Sequence, residues 1–240
     1  MRTILLVIFL GLLFFGCLEP ESDDSSNVSS IIENTSNVSE QIEVVTPAKA
    51  RVLFFGRSLG SSWMEYLGLE HACIDEPCTE TVLMGRYDDY DFIYYELGEL
   101  EDPMPSVIEG LELSQGKYDV VLFKFSQSDF GEDESGVMLD MKKRILDDVY
   151  REVVSNREKK LIVANAISVA EASPEIVSSQ REYNIYLNEF ASTHDVKVLD
   201  LYGTLVDSGG SLKSEYGSSH LNDAAYEVLT PKLLALIERA

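Results

Sequence analysis

The stretch Val52-Leu53-Phe54-Phe55-Gly56-Arg57-Ser58-Leu59-Gly60 decides the fold. Four consecutive apolar residues ended by glycine read as a strand buried on both faces, and such strands belong to parallel sheets with helices on either side. Similar runs recur at residues 91–97 (Asp-Phe-Ile-Tyr-Tyr-Glu-Leu), 118–125 (Tyr-Asp-Val-Val-Leu-Phe-Lys-Phe), 161–164 and 196–199, and residues 81–84 read as a short extra strand at an edge. Helical patterns lie between them, at residues 61–69, 105–113, 136–155, 174–193 and 222–239. Val137, Met138, Met141, Ile145, Leu146, Val149 and Val153 recur at spacings of three and four, as do Tyr183, Tyr186, Leu187 and Phe190, so these stripes are core faces. Strands alternating with helices through right-handed crossovers predict an α/β protein. The expected architecture is a three-layer α/β/α sandwich with a five-stranded parallel sheet in flavodoxin-like order.

Such sheets bind ligands beyond the carboxyl ends of their strands. The polar residues expected there are residues 56–60 after the first strand, Gly98 after the second, Ser126-Gln127-Ser128-Asp129 after the third, 165–168 after the fourth and 202–220 after the fifth. Of the three histidines, His220 falls on this rim. His194 belongs to the opposite edge, closing a helix, and His71 follows the first helix beside Cys73. Ser58 and His220 are therefore a candidate nucleophile and base, because a serine hydroxyl attacks at neutral pH only with a base in hydrogen-bond reach. A strand-to-helix turn also aims backbone N–H groups at the same point, which suits an oxyanion. Position alone leaves a second reading open, in which Ser58 caps the first helix and His220 caps or precedes the last.

Taken together, Gly56-Arg57-Ser58, Gly98, Ser126-Gln127-Ser128-Asp129 and Ser219-His220-Leu221-Asn222 resemble the motif blocks of the SGNH/GDSL hydrolases, over residues 51–240. The resemblance implies that Ser58 is the nucleophile, that its N–H and that of Gly98 serve the oxyanion hole, that His220 is the base, and that neither metal nor organic cofactor takes part. Three positions depart from the family pattern. Arg57 stands in place of an aspartate, and Ser128 in place of the oxyanion-hole asparagine, where a hydroxyl still donates one hydrogen bond but reaches less far. Gln127 and Asn165 are alternatives to Ser128. Gly217 occupies the position of the acid three residues before the histidine, leaving Glu215, Asp207 or a backbone carbonyl to orient His220. Arg57 and Asp129 project from neighbouring strand ends, either paired with Arg57 held over the site or as two solvated charges.

The N-terminus has its own logic. Met1-Arg2-Thr3 precedes a run, residues 4–15, that is apolar apart from Gly11 and falls short of the ~20 residues of a spanning helix, so residues 1–16 read as a signal peptide. Leu13-Phe14-Phe15-Gly16-Cys17 resembles a lipobox, which makes Cys17 the expected lipidation site and a lipid anchor the expected attachment to the outer face of a membrane; an uncleaved anchor and conventional cleavage are the alternatives. Residues 17–48, rich in Ser and Asn, form the expected flexible tether, and residues 49–240 the folded domain. The tether carries N-glycosylation patterns at Asn27, Asn34 and Asn37, a match that composition alone also produces. In an exported chain, Cys73 and Cys78 are the expected disulfide, and with His71 they would otherwise form an incomplete metal set.

Composition narrows the partners. With 42 Asp+Glu against 19 Lys+Arg, the chain of 240 residues has a formal charge of -23, which excludes nucleic acid as a natural partner. Its 45% apolar content excludes a wholly disordered chain, and three Cys with three His exclude disulfide-dense and multi-zinc scaffolds. Two functions stand: a surface-tethered serine esterase acting on small-molecule or glycan esters, O-acetyl esters among them, or a non-catalytic relative that binds surface glycan or a protein partner. No oligomeric state follows from the sequence.

Overall fold

The middle of the sheet is β1 (Ala50–Gly56), whose residues from Val52 onward are buried on both faces. The computed structural model describes residues 46–78, 80–131, 136–167, 172–218 and 220–240. The signal peptide, Cys17, Asn27, Asn34 and Asn37 lie outside these residues.

Among the described residues there are seven strands: β1, β2 (Glu70–Cys73), β3 (Thr81–Tyr87), β4 (Tyr90–Glu96), β5 (Val120–Lys124), β6 (Lys160–Ala164) and β7 (Lys197–Leu199). Their order is β2-β3-β4-β1-β5-β6-β7. β1 runs parallel to β4 and β5, and β6 and β7 continue in parallel, so these five strands have the flavodoxin-like order. The sheet exceeds the five expected strands because β2 and β3 add antiparallel at the β4 edge. The run at residues 81–84 is the start of β3, which is not the edge; the edge is β2, whose exposed Glu70 and His71 give no apolar signal. A disulfide between Cys73 and Cys78 closes the loop joining the two.

Alternation along β1 separates the two halves of the core. Val52 and Phe54 face α1 (Ser58–Tyr66), α5 (Leu201–Leu205) and α6 (Asp223–Ile237), meeting Trp63, Met64, Leu205, Leu229 and Leu233. Leu53 and Phe55 face α2 (Met104–Leu113), α3 (Val137–Tyr150) and α4 (Pro174–His194), meeting Val107, Leu146, Val149, Tyr183 and Leu187. Trp63 belongs to this packing: its indole N–H donates to Thr230 Oγ1 at 2.9 Å and its ring stacks on Tyr226. His194 closes α4 as expected, with Nδ1 2.9 Å from the Phe190 carbonyl.

Gly110 lets α2 approach the sheet closely. A Cβ there would lie 2.6 Å from the Phe55 ring and 2.9 Å from that of Tyr95. Gly→Ala in an open helix gains about 1 kcal/mol, but both rings are buried and overpacking costs about 1–3 kcal/mol. Gly110→Ala is therefore expected to lower the urea midpoint.

Candidate active site

The loops after β1 and β5 meet where the chain switches from one face of the sheet to the other, the place where doubly wound folds hold ligands. Helix α1 begins directly at Ser58. Arg57 occupies its N-cap position with extended backbone and no side-chain cap bond, so Ser58 is the first helical residue, not a cap. The helix's first internal bonds run from the N–H groups of Gly60 and Ser61 to the Arg57 carbonyl, at 2.5 and 3.3 Å. The amides of Ser58 and Leu59 precede these bonds and have no intrahelical acceptor. Both residues line a cleft of about 260 Å³.

The opposite wall comes from the loop after β5. Gln127–Asp129 forms a single 3₁₀ turn closed by a capping box between Ser126 and Asp129, which holds Gln127 and the exposed Ser128 in the cleft. Ile176, in the first turn of α4, adds an apolar side, and His220 completes the lining.

His220 is held by its loop. Gly217 and Leu221 form an antiparallel bridge around it, and the Asn222 side chain caps α6 by accepting from the Ala225 N–H at 3.2 Å while donating to the Glu215 carbonyl at 3.0 Å. Capping falls to Asn222, two residues after His220. Gly217 adopts φ +125°, and a Cβ there would run into the His220 carbonyl oxygen. The acid absent from this position has no room in the loop as built. Glu215 lies on the same loop with its side chain exposed. Asp207 accepts from the amides of Gly209 and Ser211 and shapes a turn.

Beneath the cleft, Arg57 and Asp129 form a buried ion pair, with Nε donating to Oδ1 at 2.8 Å. The other Asp129 oxygen accepts from the Ser126 N–H at 2.7 Å. The guanidinium also donates to three successive carbonyls after β4, those of Leu97 (2.6 Å), Gly98 (2.5 Å) and Glu99 (2.9 Å). Lys142, buried on α3, donates to the next carbonyl, Leu100. Lys124, buried at the end of β5, donates to the Phe125 carbonyl at 2.9 Å; burial pushes its pKa down to about 8, and the Asp129 charge opposes that fall. Burial also lowers the Lys142 pKa, again against Asp129.

Ser58, Ser128 and His220 thus share one cleft, with Arg57 and Asp129 under it. Gly98 is placed differently from its expected role: its N–H donates to Ser106 Oγ at 2.9 Å, and it does not line the cleft. Asn165 is committed elsewhere, donating to Asp200 and accepting from the Tyr202 N–H. Among the described residues, no three His, Cys, Asp or Glu side chains are grouped to hold a metal ion. Sequence reasoning missed Lys124 and Lys142; a single charge inside the buried run of β5 was the available signal for the first.

No family model matches the chain, and no curated protein matches it. Solved structures do. A GDSL-like lipase from Bacteroides thetaiotaomicron superposes with a TM-score of 0.60 at 13% identity, over 79% of this chain and 88% of that one. The chain has the GDSL hydrolase fold. A lipase/acylhydrolase from Enterococcus faecalis aligns at TM-score 0.53 and 15% identity, over 78% of this chain and 94% of its own. A catalytic mutant of an acetylxylan esterase from Geobacillus stearothermophilus aligns at 0.51 and 11%, over 79% and 94%.

Asp129→Asn leaves Arg57, Lys124 and Lys142 buried around a neutral amide, and is expected to cost about 3–5 kcal/mol in a urea titration, the range for breaking a buried ion pair from one side. Gly217→Asp is expected to lower stability by roughly 1–3 kcal/mol because of the backbone strain at that position.

Proposed function

We propose that this chain is a serine ester hydrolase of SGNH type. The observation that carries the reading is that Ser58 and His220, far apart in sequence, line one cleft while the capping roles open to them belong to other residues. Ser58 Oγ attacks the ester carbonyl as His220 takes its proton; the negative oxygen is met by the Ser58 and Leu59 amides and the Ser128 hydroxyl. His220 then protonates the leaving alcohol, and water, activated by the same imidazole, releases the acid and regenerates Ser58. Glu215 is the acid assigned to orient His220. Arg57 and Asp129 position the loops and touch no substrate.

The cleft of about 260 Å³ has room for a short acyl group such as acetyl. The acetylxylan esterase among the structural neighbours supports the same class, with a glycan ester as substrate. Residues 1–48 are assigned as a lipoprotein leader and tether, lipidated at Cys17, disposing the enzyme on the outer face of a membrane. Among the described residues no helix is long and apolar enough to cross one.

A second reading has its own support. The Gly98 N–H is engaged by Ser106 and the acid position is closed by Gly217, which favours a relative that binds a surface glycan or protein through the same rim without turnover.

A fluorophosphonate probe separates the two readings. The full-length chain is expected to gain one adduct by intact mass, absent from Ser58→Ala and His220→Ala, and to cleave acetyl esters faster than butyryl or palmitoyl ones. A folded chain that gains no adduct belongs to the second reading.

A further inference from the structure

A second cleft, of about 320 Å³, opens where α1 faces the β2–β3 hairpin and the end of β4. Ser61, Glu65, His71, Glu80, Tyr94 and Glu96 are among its lining residues. Its chemistry is one-sided: three carboxylates share it, and none of the three forms a salt bridge among the described residues.

A buried hydroxyl is the second, independent observation. Tyr94 is 3% exposed, and its Oη has no partner in hydrogen-bond geometry. Ser61, beside it, gives its own proton to the Ser58 carbonyl at 3.0 Å. A buried hydroxyl left in this state is unfavourable, and a donor held in the cleft would relieve it. Glu80 follows the turn stapled by Cys73–Cys78, its backbone carbonyl accepting from the Ile74 N–H at 3.2 Å.

The ligand this arrangement fits is a cation with several N–H donors. A bare divalent ion is disfavoured, because no three of the acidic or imidazole groups are grouped closely enough to hold one. A primary ammonium on a larger polar scaffold meets both features, its N–H groups reaching carboxylates and the Tyr94 oxygen while the scaffold spans the space between them. Ser61 lies three residues after Ser58, so the cleft begins on the same face of α1 about one turn, roughly 5 Å, from the candidate nucleophile.

We propose that this cleft binds the ammonium group of an amine-bearing substrate, an amino sugar in chemical class, and so presents an ester on the same molecule to Ser58. Its role as a substrate subsite rests on the esterase reading; binding of the amine does not.

The test is an NMR titration of the full-length chain with glucosamine and, separately, with glucose, following the amides of Glu65, Glu80 and Glu96. Glucosamine is expected to bind at least about tenfold more tightly than glucose and to lose that advantage as salt is raised, as a partly exposed charge pair does. The double substitution Glu65→Gln, Glu96→Gln is expected to bring the two sugars level, with the dispersion of its spectrum reporting the fold. Equal affinities in the parent chain, shifts confined to other amides, or a preference that survives the double substitution would overturn the proposal, as would calcium producing the same shifts at lower concentration. Because the titration needs no turnover, its failure is separable from that of the esterase reading. A labelled Ser58 without amine preference removes this cleft alone, and amine binding by a chain that resists the probe removes its tie to catalysis.

Discussion

A single buried carboxylate organises the functional end of this molecule. Asp129 accepts from Arg57 with one oxygen and from the Ser126 amide with the other, so it joins the turn after β1 to the turn after β5. Arg57 extends the tie to the segment after β4 by holding the carbonyls of residues 97, 98 and 99, and Lys142 holds that of residue 100. Three loops at the carboxyl end of the sheet, two of which line the cleft, are thereby connected through one anion. Such an arrangement persists only when every member is satisfied, because a buried charge without its partner is worth far more in lost stability than the pair contributes.

The charge distribution follows from that design. The chain as a whole carries a formal charge of -23, yet under the cleft three basic side chains, Arg57, Lys124 and Lys142, are buried with one carboxylate, Asp129. Basic groups in a low-dielectric interior favour negative charge developing near them, which is what the proposed attack by Ser58 would generate. It also gives a physical account of the arginine at position 57, where the resemblance to SGNH/GDSL motif blocks implies an aspartate. The arginine is turned inward, where its fork matches consecutive carbonyls, and the Ser58 hydroxyl remains at the surface of the turn.

The cleft is a product of loop backbone as much as of side chains. Gly217 gives the His220 loop a conformation that ordinary residues avoid and a contact that a side chain would obstruct. The bridge to Leu221 and the Asn222 cap then fix where the loop turns into α6. The glycine and the loop are one feature: at residue 217 the backbone adopts a conformation, and makes a contact with the His220 carbonyl, that an acidic side chain would obstruct.

The layers were legible in the sequence because burial on both faces demands unbroken apolar runs, and Val52-Leu53-Phe54-Phe55 or the run ending at Phe125 can be satisfied in few other ways. The ends of the helices that carry Tyr183 or Val149 were legible for the same reason, through their spacing of three and four. The β2–β3 hairpin was less so, since an exposed edge strand with Glu70 and His71 has no hydrophobic requirement to announce it. By itself, the sequence determined the parallel core and the rim on which Ser58 and His220 had to fall, since both follow from short-range pattern and the handedness of the crossovers. Only the tertiary structure decided which polar groups bond to which: that Gly98 turns its amide to Ser106, that Asn165 serves Asp200, and that Lys124 and Lys142 gather around Asp129. Hydrogen bonds and ion pairs are set by angstrom-scale directions between residues distant in the chain, and no local pattern encodes those directions.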